Sequence, residues 1–170
     1  MTRTLAFRNR QRTRLVDGRL LRRLTLAVLR DELRIESWEL AIHLVNAREM
    51  ARVNWDFLQH EGSTDVITFD HSEAPPAPGA LHGEIFICLD DAVKQARQFG
   101  TRWQEELARY VIHGLLHLCG HDDLSPVPRR AMKREENRLL RAMSREFPLQ
   151  RLARRKSAPR SPLRATRSRQ

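Results

Sequence analysis

Val111-Ile112-His113-Gly114-Leu115-Leu116-His117-Leu118-Cys119-Gly120-His121-Asp122-Asp123 is the stretch on which the reading of this chain turns. Two histidines four apart on a helix project from one face and can grip a single metal ion. Gly120 follows three residues after His117, where a left-handed residue ends a helix and folds the chain back. Asp123 arrives three residues past the glycine, in register to close the site as a third ligand. His121 is the competing third ligand, but it comes immediately after the turn, before the chain has returned. The spacing therefore favours His113, His117 and Asp123 as a metal-binding set.

This is the spacing of a metzincin zinc helix, H-E-x-x-H-x-x-G-x-x-H, with Gly114 in place of the glutamate and Asp123 in place of the last histidine. A zinc protease needs that glutamate to take a proton from water and pass it to the leaving amine. Glycine does neither, so peptide hydrolysis is disfavoured. A substrate that brings its own nucleophile, such as a ribose 2′-hydroxyl beside a phosphodiester, escapes this requirement.

At 170 residues and 19.9 kDa the chain suits one well-filled core. Its net charge of +10 is unevenly placed. Eight of the 31 basic residues and none of the 21 acidic ones fall in residues 151–170, so residues 1–150 carry only +2. The expected organisation is one domain over 1–150 and a basic, disordered tail over 151–170, with Pro159 and Pro162 in it. An arginine-rich tail is drawn to phosphate backbones, or serves as a solubilising extension. Arginines 3, 8, 10, 12 and 14 interrupt any signal-peptide pattern, and no run approaches the ~20 apolar residues of a membrane helix. Two cysteines make no disulfide framework, so a cytoplasmic protein without membrane partners is expected.

Apolar periodicity predicts strands at 4–8, 38–45, 65–70 and 83–89, with a proline-bearing loop over 71–82. Helices are predicted from an Asp17 cap through Leu33, from Asn46 through Leu58, and from an Asp90 cap to Gly100. A capping-box pattern at Thr101 and Gln104 opens the histidine helix, and a last helix runs from Pro126 or Pro128 to Glu146. Met132, Leu139, Leu140 and Met143 form its buried face. The fold class is α+β, a small mixed four-stranded sheet with about five helices.

Three segments resemble the YbeY family of metal-dependent endoribonucleases, the rRNA maturation factors. They are Thr64-Asp65-Val66-Ile67-Thr68-Phe69, Gly83-Glu84-Ile85-Phe86-Ile87 and the His113–Asp123 motif, within a resemblance spanning roughly 36–146. The resemblance implies a small mixed sheet with helices on it and one Zn²⁺ per chain held at three ligand positions. It also implies single-strand cleavage in maturation of the 16S rRNA 3′ end, ribosome quality control, and rRNA in the small subunit as partner. His113 and His117 match the first two ligand positions, and Asp123 stands where the family usually has histidine. His121 stands where tyrosine is frequent. The family commonly has an arginine six residues before the Thr of the T-[ND]-V motif, credited with a role in cleavage. That position here is Leu58, with His60 two residues on as the candidate replacement.

Other residues carry blander readings. Asp122 is a cap or a partner to a ligand imidazole, Cys119 and Cys88 are buried thiols, and His43 is a partly exposed strand histidine. His71 and His82 are loop residues, and Thr64, Asp65 and Thr68 either line a groove beside the metal or serve local turns. Two functions remain: a single-metal endoribonuclease, or an RNA-binding assembly factor whose metal is structural.

Overall fold

Alternating apolar side chains build the sheet that carries the site. The computed structural model of the chain describes residues 2–73 and 78–154. Strands β1 (Arg3–Asn9), β2 (Ser37–Val45), β3 (Val66–Asp70) and β4 (Ala80–Cys88) lie in the order β1-β2-β4-β3. The first, second and fourth run parallel, and β3 is antiparallel to β4. Leu40, Ile42 and Leu44 with Ile85 and Ile87 point to one face, into a core shared with helices α1 (Gly18–Ala27) and α4 (Trp103–Leu118). Val45, Ile67 and Cys88 belong to a second core with Met50 and Val53 of α2 (Ala47–Leu58). Helices α3 (Leu89–Phe99) and α5 (Pro126–Glu146) pack against α4. Over the described residues the fold is the expected α+β arrangement of four strands and five α-helices.

Several boundaries differ from expectation. The first helix does not reach Leu33 as α-helix, because a π turn over Val28–Glu32 takes over, with Leu33 N donating to Val28 O. Strand β4 begins at Ala80 instead of Gly83, since β2 recruits the three preceding residues into its ladder. Asp17 and Asn46 cap their helices through the side chain. Asp90 does not cap its own helix; its carboxylate accepts from the Ala47 N–H of α2 and the Thr13 hydroxyl, tying three segments together. Thr101 likewise makes no capping box, because its hydroxyl donates to Glu106.

Past α5 the chain closes with a 3₁₀ turn over Leu149–Leu152, then pairs Ala153 with Val16. The division drawn at residue 150 therefore falls inside this turn, and Leu152 is fully buried. The tail from residue 155 lies outside the described residues. Among the described residues no helix is long and apolar enough to cross a membrane.

Two glycines set the height of α4 above the sheet. A Cβ on Gly114 would stand 2.6 Å from Ile85 Cγ2, and one on Gly83 would stand 2.5 Å from Phe69 O and 3.0 Å from Leu118 Cδ2. A side chain at Gly114 would lift the C-terminal half of α4, and the histidines with it, whereas one at Gly83 would first press on the β3 backbone and then on Leu118.

Candidate metal centre

One face of α4 carries Glu106, Tyr110, His113 and His117 at helical spacing. The Nε2 atoms of His113 and His117 meet at 3.1 Å. The helix stops at Leu118, and Gly120 at φ +87 turns the chain back. Gly120 N donates to His117 O and His121 N to Leu116 O, the paired bonds of a Schellman turn. The returning chain delivers Asp123, whose Oδ2 stands 3.8 Å from each histidine Nε2. His113, His117 and Asp123 are the group of metal-capable side chains found among the described residues, their ligand atoms all within 4.8 Å of one another.

The rest of each imidazole is spoken for. His117 Nδ1 lies 3.0 Å from the backbone carbonyl of His121, and His113 Nδ1 lies 3.0 Å from Glu136 Oε2. A carbonyl and an ionised carboxylate can only accept, so in the neutral rings both Nδ1 atoms carry the hydrogen. Both Nε2 atoms then present bare lone pairs to each other and to a carboxylate oxygen. Three acceptors facing one another repel unless a cation sits among them. Tetrahedral zinc at ordinary bond lengths separates its ligand atoms by about 3.4 Å. The separations of 3.1, 3.8 and 3.8 Å bracket that value, so the donor set fits such an ion.

Glu136 completes the support. It is 3% exposed, on the apolar face of α5 between Met132 and Leu139. Burial works against its ionisation, but hydrogen bonds from His113, Lys133 and Arg109 and the Lys133 charge outweigh it and hold the carboxyl at about 2. His117 is also lowered from its usual value: burial and the neighbouring His113 lower it, against the pull of Asp123. The ring is thus neutral near pH 7, as ligation requires. A cleft of about 540 Å³ opens beside these groups, lined among others by His113, Asp123, Asp65, Tyr110, Arg109, Arg129 and Glu136.

The structure separates the candidates. It brings His113, His117 and Asp123 together, and gives His121 a supporting role through its carbonyl. Asp122 caps the loop by accepting from Leu124 N. Asp65 lines the cleft and also accepts from Val66 N and Thr64 Oγ1. Leu58 and His60 are exposed at the end of α2 and are not among the cleft-lining residues. Cys119 is exposed, not buried, because the helical register that would have hidden it ends one residue earlier. His43, expected to be partly exposed, is 2% exposed and held between Arg10 and Glu84. Glu136, Tyr110 and Arg129 were not anticipated. An acid inside the apolar stripe of α5, and a tyrosine three residues before His113, were the available signals.

The family model described as Endoribonuclease YbeY matches residues 6–144. The chain belongs to the YbeY endoribonuclease family. An Endoribonuclease YbeY of Anaeromyxobacter dehalogenans is 45% identical over 107 residues, covering 63% of this chain and 55% of that one. That of Chlorobium luteolum is 37% identical over 132 residues, covering 78% of this chain and 93% of the relative. The solution structure of a Thermotoga maritima protein superposes with a TM-score of 0.62 at 23% identity, over 92% of this chain and all of that one, which shows the shared fold. The YbeY match takes in both histidines, Asp123 and Glu136.

Proposed function

We propose that this chain is a zinc-dependent endoribonuclease that cuts single-stranded RNA. In this reading it acts in maturation of the 16S rRNA 3′ end and in ribosome quality control on the small subunit, in the cytoplasm. The observation that carries the proposal is the pair of bare Nε2 atoms 3.1 Å apart facing Asp123 at the mouth of an open cleft, in a chain of the YbeY family. His113, His117 and Asp123 would hold the ion. Zinc bound there supplies positive charge to a phosphodiester and its attacking oxygen.

The protein's own groups prepare the site. Glu136 and the His121 carbonyl fix the tautomer and tilt of the two ligand rings. Lys133 and Arg109 pair with Glu136, so the buried carboxylate is compensated by cations of the cleft wall. Arg129 is anchored by its Nε on the Asp123 carbonyl at 2.8 Å and lines the cleft, its terminal amino groups available to a phosphate. It supplies the cationic group that Leu58 does not. Gly114 lies against Ile85, so a protease-type carboxylate has no room beside the ligands.

The second reading, an RNA-binding assembly factor with a structural metal, draws on Leu58 and on the position of His60 away from the cleft. Zinc content and cleavage of a single-stranded rRNA fragment, measured for native protein, His117→Ala and Arg129→Ala, decide between them. The endoribonuclease reading expects cleavage by the native protein, lost with zinc in His117→Ala and lost with zinc retained in Arg129→Ala. Stoichiometric zinc without cleavage by the native protein supports the second reading.

A further inference from the structure

The cleft continues past the metal ligands along α4, and its far end is built for something other than a phosphate. Tyr110 lies one turn before His113 on the same face and is 4% exposed, yet its hydroxyl has no hydrogen-bond partner. Gln95 of α3 lines the same cleft, and its buried Oε1 is also unpartnered. Asp65 adds a carboxylate to the wall, and Met132 and Phe99 add apolar surface, the Phe99 ring 66% exposed. An unpaired buried hydroxyl and amide each cost on the order of 1–3 kcal/mol, which a ligand partnering both would recover. The ligand must be flat and apolar on its faces and polar at its edge. It must also reach the metal: Tyr110 is three residues from His113, a rise of about 4.5 Å along the helix, within one nucleotide of a phosphate at the ion.

We infer that the cleft between α3, α4 and α5 is a nucleobase subsite for the nucleotide next to the cleaved phosphodiester, in which Gln95 and Tyr110 read the base edge and Phe99 and Met132 flank its face. The substrate class rests on the endoribonuclease reading. The chemistry of the wall selects the base. The Gln95 carbonyl and Asp65 both accept, so an exocyclic amine is favoured and a carbonyl in its place meets another acceptor. Adenine and cytosine carry such an amine, whereas uracil presents O4. The burial that raises the Tyr110 phenol well above its usual range keeps it protonated, a donor for the neighbouring ring nitrogen.

The test separates binding from cleavage. The probes are 2′-O-methyl uridine decamers with one central A, C or U, titrated into zinc-loaded full-length protein and followed by fluorescence anisotropy. The same three sequences as RNA are then mapped for cleavage. The A and C decamers bind about tenfold more tightly than the all-U decamer, the size expected of one well-made base-edge contact. Tyr110→Phe and Gln95→Met each bring that ratio to within twofold, with zinc content unchanged. In the RNA series cleavage concentrates at the bond beside the A or C. Equal affinities for all three decamers, or tighter binding of all-U, overturns the subsite whatever the cleavage shows. Base-dependent binding that both variants abolish, with no RNA cut, upholds the subsite and removes the endoribonuclease reading instead.

Discussion

Two histidine–carboxylate groups stand on opposite faces of one sheet, and they differ in which ring nitrogens are left over. On the α2 side His43 Nδ1 receives the Arg10 guanidinium at 3.2 Å and its Nε2 donates to Glu84 Oε2 at 2.8 Å. The ring is stacked on Phe86, 4.3 Å away, and both nitrogens are used. Glu84 reaches onward with its other oxygen to His71 at 3.4 Å, so the group strings out as a chain. On the α4 side the Nδ1 atoms are occupied and the Nε2 atoms converge on one point with Asp123. Residue types are the same in both places. What makes one a candidate metal centre and the other a strut is the lone pair that no protein donor satisfies.

Substitutions that remove one element of either group break or sharpen this contrast. His117→Ala deletes a ligand, and the loss of zinc affinity exceeds the ~10–100-fold typical of disturbing a group behind a ligand. Equilibrium dialysis against a chelator measures it, and retained stoichiometric zinc would falsify the convergence argument. Glu136→Gln keeps the shape but weakens the support of His113 and leaves Arg109 and Lys133 without their counter-charge. It lowers zinc affinity by ~10–100-fold, read by the same titration.

Gly114→Ala tests the seating of α4 alone. A methyl 2.6 Å from the buried, β-branched Ile85 costs about 1–3 kcal/mol of stability, reduced by the better helix propensity of alanine. Urea denaturation of the zinc-loaded protein measures the net loss, and an unchanged midpoint refutes the seating argument. His43→Gln on the opposite face costs about 1–2 kcal/mol, for it loosens Arg10 and Glu84 without touching zinc. A change in zinc content in this variant would dissolve the distinction between the two groups.

The smallest expected effect is in pH. Burial lowers the His43 pKa from the usual 6.5, helped by Arg10 and Arg8 and opposed by the Glu84 hydrogen bond and charge. A group whose folded pKa is depressed stabilises fully above its unfolded value and loses that contribution as pH falls below it. The stability difference between native protein and His43→Gln therefore shrinks between pH 7.5 and pH 5.5. Titration elsewhere in the chain is common to both proteins and cancels. A difference that is flat, or grows toward acid, contradicts a neutral buried His43.

The sequence was most legible where one local rule acted alone. Helix periodicity aligned His113 and His117, and the left-handed preference of glycine placed the turn that returns Asp123. It was least legible where distant segments share a group. Asp90 looked like a cap for its own helix and instead serves Ala47 and Thr13, 43 and 77 residues away. His43 looked half-exposed because strand alternation says nothing of the Arg10 and Glu84 side chains that enclose it. Glu136 was hidden in an apolar stripe whose partners, Arg109 and His113, lie on another helix.

The linear chain alone determined which donors exist and their order along one helix and one turn, because spacing within about ten residues is fixed by backbone geometry. Packing decided the rest. It chose which nitrogen of each ring faces Asp123, how closely α4 lies on the sheet, and which cationic groups reach the cleft. Those outcomes depend on groups tens of residues apart, brought within hydrogen-bond range by burial of a common core.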